Sequence, residues 1–269
     1  MNRLWISWKP YLMVFRLRAL METQYRAAAL GGLVTQVFFG LVYVCLYTVL
    51  YDGADAAALQ DTITYVWLQQ MFFRMMFSND GELTNLIMSG GVAYMMVRPL
   101  DQHRFWVCRD VGGRLVGAGM RMLPMLLVQL LLPKGCRMAL PDSPAALAQF
   151  LLSVGLGAVC LCELSAIVDA INMKTLDRRG ISAILNLTMM TFSGNVIPLT
   201  LFPDSVQMLI RYQPFAQALD APIRMYQHAA GLPEWLLNVT VQIAWIVVLR
   251  LLGRWMWQQR MNDMTVQGG

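Results

Sequence analysis

Ala27 to Leu50 carries no charged residue, and a helix needs about 20 apolar residues to cross a bilayer. That one stretch restricts the fold more than anything else in the sequence. A segment of this kind is either lipid-facing or entirely enclosed, and five more segments resemble it. Thr62–Phe77 is the second and starts a few residues earlier, although it contains Gln69, Gln70 and Arg74. Val111–Leu132, Ala145–Ala170, Ile181–Ile197 and Trp235–Leu252 follow, the fifth of the six cut off by Pro198. Six such helices cannot all be enclosed in a chain of 269 residues. Only 14% of the residues are charged while 57% are hydrophobic, against about 25% and 45–50% in soluble domains. The expected fold is therefore an all-α integral membrane protein with six transmembrane helices, forming a single transmembrane domain over 1–269.

The cations orient it. With the N-terminus inside, fifteen of the 21 Lys and Arg fall in cytoplasmic segments or the adjoining span ends, among them Lys9, Arg98, Arg104, Arg109 and Arg254. Only Lys134, Arg137, Arg211 and Arg224 fall outside. Positive residues concentrate on the cytoplasmic side, so both termini are expected there. The net charge of +5 does not point to nucleic acid, because the arginines stand singly at the ends of apolar runs rather than in a patch.

Residues 1–26 form an expected interfacial amphipathic helix. Trp5, Trp8, Leu12, Phe15 and Ala19 share a face that ends at Glu22, with Lys9, Arg16 and Arg18 beside it. Pro10 belongs in its first turn or divides it. A secretory signal peptide is rejected, since the first long apolar run begins only near Ala27. Residues 198–227 are largely apolar yet carry Pro198, Pro203, Pro214 and Pro222. They read as two short helices, Pro203–Arg211 and Phe215–Gln227, making an external re-entrant hairpin. On α-helical geometry Gly113 and Gly117 share one face of the third span, where small residues let a neighbour approach closely.

The residues that could carry chemistry are few. Arg74, Arg121 and Glu163 lie inside spans, as a pathway lining or as ion pairs. Arg74 and Glu163 have similar depth and are candidates to pair, whereas Arg121 reads as deeper. The two histidines, His103 and His228, are far apart and give no metal set. The five cysteines imply no disulfide framework. There is no G-x-x-x-x-G-K-[ST] phosphate loop, so ATP is not expected to bind this chain in that manner.

Between the second and third spans the chain reads Gly81-Glu82-Leu83, then Ser89-Gly90, then Arg98-Pro99-Leu100. Around the end of the fifth come Ser193-Gly194, Ile197-Pro198-Leu199 and Phe202-Pro203, and later Gln213-Pro214-Phe215. With the Tyr25-Arg26 end of the N-terminal helix, these clusters resemble the permease subunits of ABC exporters of the ABC-2 type, over nearly the whole chain.

The resemblance implies an ATP-driven exporter in the inner (cytoplasmic) membrane. A separate ABC ATPase subunit would hold ATP and magnesium, with no cofactor in this chain. A second permease, an identical copy or a paralogue, would complete the assembly in membrane lipid. It implies a coupling helix at Gly81, Glu82, Leu83, Leu86, Ile87 and Met88. From the residues themselves, Ser78, Asn79 and Asp80 are candidates to cap its start, and Glu82 either meets an ATPase arginine or only favours the helix N-terminus through its dipole. The resemblance also implies an external gate at Ser193, Gly194, Pro198, Phe202, Pro203, Pro214 and Phe215. Catalytic residues are not expected. The alternatives are a six-helix intramembrane enzyme, which would need a buried nucleophile–base pair or metal ligands, and a membrane scaffold without transport.

Overall fold

The computed structural model describes residues 8–24, 26–51, 55–76, 81–175, 178–195, 199 and 202–263, and among these there is no strand. Helix α1 (Lys9–Gln24) leads to α2 (Arg26–Tyr51), and α3 (Ala56–Met76) returns beside it. Two short helices, α4 (Glu82–Met88) and α5 (Val92–Val97), form a hairpin ahead of α6 (Gln102–Leu131). A 3₁₀ turn at Lys134–Cys136 precedes α7 (Pro144–Thr175) and α8 (Arg178–Phe192). Then come α9 (Asp204–Arg211), α10 (Pro214–Gln227) and α11 (Leu232–Asp263).

Four of these helices are long and apolar enough to cross a membrane: α2 over Ala29–Tyr51, α6, α7 and α11. Their outward faces are greasy, with Phe38, Val49, Leu127, Leu130, Val247 and Leu251 all exposed. Apolar surface on this scale marks a lipid-facing protein. The other two expected spans differ for distinct reasons. Helix α3 is less apolar because it is enclosed: every residue from Thr62 to Phe72 is buried. A helix surrounded by protein can carry glutamines, provided neighbours bond them. Helix α8 is short, 15 residues, or about 22 Å of helix against a hydrocarbon core of about 30 Å.

The interior is built on α3, α7 and α10. Phe72 stacks on Phe150 at 5.9 Å, and Phe150 meets Tyr226 edge-on at 5.2 Å. Trp67, Leu161, Leu219 and Ile223 fill the space around them. The proline-broken segment forms its two short helices within a residue or two of the positions read from sequence. They have opposite environments. Helix α9 exposes Met208 and Leu209, whereas α10 is buried over most of its length, between α3, α7 and α11. At Gly157 of α7 a side chain would strike the Ala218 carbonyl, so the missing Cβ sets how closely α10 seats.

Helix α1 packs along α6, and Pro10 sits in its first turn. The stripe is divided between two environments: Trp8 and Leu12 are exposed, whereas Phe15 turns toward α6 with Tyr11, Arg18 and Glu22. Tyr11 Oη accepts the backbone N–H of Asp101 at 3.0 Å. The glycine pair that sequence singled out receives this face: Gly113 lies under Arg18 and Gly117 under Glu22 and Arg74.

Candidate functional site

At one end of the bundle, α4 and α5 connect α3 to α6, with α4 lying against the first turns of α6 and the last turns of α7. Gly81 is the N-cap of α4; Ser78, Asn79 and Asp80 lie outside the described residues. Gly90 closes the α4–α5 turn with φ 73, a left-handed conformation that side chains bearing Cβ rarely adopt. The hairpin has two faces. Leu83, 4% exposed, is seated among Trp106, Ala170, Met173 and Trp257, with Leu86, Ile87 and Met95 around it. Glu82 pairs with Arg109 of α6, whose guanidinium also lies 5.0 Å over the Trp106 ring and bonds Asp110 at 3.2 Å. The carboxylate expected to meet a partner's arginine therefore has one in its own chain. The other face is bare and apolar: Met88 is 72% exposed, Tyr94 79% and Val97 84%.

Just beneath this seat His103 Nε2 lies 3.1 Å from Glu163 Oε2, both buried, and the His103 ring meets Trp257 edge-on at 6.2 Å. Arg114, buried on α6, donates to the Met75 carbonyl at the end of α3 and to Ser165 Oγ of α7. A cation there satisfies carbonyls that a helix C-terminus leaves open and complements its dipole. Arg74 and Glu163 are both paired, but not with each other. Arg74 donates to both Glu22 oxygens at 3.1 Å. Similar depth was an insufficient guide, because Arg74 turns toward Glu22 of α1 at Gly117 while Glu163 turns toward His103 of α6. The Arg121 guanidinium rests against Gly32, six residues from the start of α2.

At the opposite end a buried polar network joins α3, the end of α8 and α10. Tyr65 Oη donates to Asp220 Oδ1 at 2.8 Å, and Arg224 Nε donates to Asp220 Oδ2 at 2.7 Å. Gln69 Nε2 donates to Tyr65 Oη at 3.1 Å and to the Ser193 carbonyl at 3.2 Å, while Asn195 Nδ2 donates to Gln69 Oε1 at 3.3 Å. Gly194 has φ 79, and Tyr65 Oη occupies the space a Cβ would need. Ser193 is fully buried, and Phe202 packs against Leu199, Ile210 and Ala216. Pro203 is the N-cap of α9, Pro214 opens α10 and Phe215 packs against the main core. Pro198 lies outside the described residues. A cavity of about 570 Å³ opens beside the network, lined in part by Asp61, Tyr65, Arg211, Arg224, His228 and Glu234.

Two groups of functional candidates escaped the sequence. Tyr65 and Gln69 are distant in the chain from Asp220, and only the glutamines of an apolar segment hinted at them. Arg109 and Arg114 were counted as sidedness markers, although each ties two or three helices together.

A family model described as ABC-2 family transporter protein matches residues 36–268. No curated protein matches the sequence.

Proposed function

Because the chain belongs to the ABC-2 family of transporter proteins, we propose that it is the permease subunit of an ATP-driven exporter. A separate ABC ATPase holds ATP and magnesium, and a second permease, identical or paralogous, completes the assembly. The chain crosses the cytoplasmic membrane six times, with α3 and α8 as the second and fifth spans. Both termini and the α4–α5 hairpin are cytoplasmic, and α9–α10 form a re-entrant hairpin on the outer side.

The observation that carries the proposal is the two-faced α4–α5 hairpin. One face is fixed to the bundle by Leu83 and the Glu82–Arg109 pair. The other presents Met88, Tyr94 and Val97 to solvent, the residues a protein groove would cover. A partner can shift a permease only through contacts that differ between its two states. The hairpin offers such contacts, and its seat offers a path onward. Helix α7 runs from Ala170 and Met173 at the seat to Gly157 against α10, about 20 Å along the helix. Helix α11 runs in parallel, from Trp257 at the seat to Gln242, which donates to the Gln217 carbonyl of α10 at 2.7 Å. A displacement of the hairpin thus reaches α10 and the Ser193–Phe215 region through two rods.

The test is co-expression and co-purification with a candidate ABC ATPase, followed by measurement of ATP turnover in lipid. The expected result is a stable complex whose turnover rises with permease present. A chain that purifies alone and stimulates no ATPase overturns the proposal.

A further inference from the structure

One face of α6 carries a charge ladder that neither the coupling hairpin nor the buried Tyr65–Asp220 network uses. Arg18 of α1 lies over Gly113, and Glu22 and Arg74 lie over Gly117. Arg121 follows one turn on, at i+4, and rests on Gly32 of α2. Glu22 is bonded by Arg18 at 2.9 Å and by Arg74 at 3.1 Å. Arg121 stands within electrostatic reach of Arg74 and Glu22, and among the described residues it forms no ion pair of its own. Among the described residues, then, Glu22 is shared by Arg18 and Arg74, and the Arg121 guanidinium stands beside them without an ion pair.

From this corner we infer a binding site for the phosphate of an anionic phospholipid, held chiefly by Arg121 with Arg74 behind it. Charge is the first argument: Arg121 has no carboxylate of its own among the described residues, and guanidinium matches phosphate geometry. Depth is the second. Arg74 is two residues from the end of α3, and Gly32 is six from the start of α2, about 9 Å along the helix. That is headgroup depth for a side chain as long as arginine. Surroundings are the third. The helices that carry the corner expose Leu17, Leu20 and Met21 on α1, Leu30 and Val34 on α2 and Leu123 on α6. Acyl chains cover such residues, and a free anion does not. Gly32 contributes by its lack of a side chain, since a Cβ there would sit 2.7 Å from Arg121 Cζ.

The inference rests on the membrane placement in the proposed function and not on the ATPase, so it is read without one. Purified protein is titrated with phosphatidylglycerol or phosphatidylcholine in mild detergent. Retained lipid is counted by native mass spectrometry and stability is followed by thermal unfolding. Wild type is expected to retain phosphatidylglycerol in preference. Arg121→Gln is expected to lose roughly fivefold in that preference, the worth of one arginine near an anionic surface. Gly32→Leu keeps every charge but displaces the guanidinium, and should lose it too. Glu22→Gln removes the competing carboxylate and should raise retention, opposite to the loss that a purely structural cluster predicts for all three. Equal retention of the two lipids, or an unchanged preference in Arg121→Gln, overturns the inference. So does full displacement of the lipid by millimolar inorganic phosphate, which would make the site one for free phosphate. Loss of permease pairing in Arg121→Gln with lipid retention intact would assign the corner to a neighbouring copy, and also overturns it. A chain that stimulates no ATPase yet shows the lipid preference leaves the inference standing while removing the exporter reading.

Discussion

Gly194 shows how much of the far-end network depends on a single backbone choice. Its φ of 79 and the Tyr65 hydroxyl in the place of a Cβ leave no room for alanine. Gly194→Ala is expected to cost about 1–3 kcal/mol through backbone strain, and more where Tyr65 is pushed off Asp220. Thermal unfolding of the purified protein measures it, and an unshifted midpoint refutes the argument. The Ser193-Gly194 pair was visible in the sequence as part of a cluster, but its physical reason was not. The reason lies in Tyr65, some 130 residues earlier in a different helix. Glu82 teaches the same lesson from the other side. A carboxylate near a helix start reads as a dipole effect or a partner contact, and only the fold reveals Arg109 across from it.

At the scale of elements, the long apolar helices were legible because lipid-facing residues must be apolar on every exposed face. The enclosed ones were not. Helix α3 has glutamines bonded inside the protein, so hydropathy understates it. The amphipathic pattern of α1 signalled a helix with an apolar face, but not that Phe15 and Glu22 of that face would turn to α6 while Trp8 and Leu12 stay exposed. In α4–α5 the two faces make separable predictions. Tyr94→Glu places a charge on the exposed tip and is expected to lower ATPase stimulation at least several-fold, with the unfolding midpoint unchanged. Leu83→Ala empties the seat and is expected to destabilise by about 2–5 kcal/mol while leaving the tip chemically intact. Measuring turnover and unfolding for both variants separates docking from seating. If Tyr94→Glu leaves stimulation intact, the tip is not where the ATPase binds.

For the whole molecule the decisive question is which end faces the cytoplasm, because docking, gating and the lipid corner all depend on the direction of the bundle. The structure provides two reporters that it does not need. Ser89 is exposed in the turn after α4, and Gly135 lies in the 3₁₀ turn, where an added Cβ meets nothing within 4 Å. They flank opposite ends of α6, a helix of 30 residues, or about 45 Å, enough to cross a bilayer with length to spare. The five native cysteines are free thiols and can be replaced by serine or alanine without breaking a bond. In that background Gly135→Cys is expected to react with a membrane-impermeant maleimide added to intact cells. Ser89→Cys is expected to react only once the membrane is opened or inverted. The expectation comes from the arginine distribution, which is a tendency of insertion and independent of the packing that defines the two ends. Reversed labelling would put Met88, Tyr94 and Val97 out of reach of any ATPase and remove the exporter reading. It would leave the helices and the Tyr65–Asp220 network where they are.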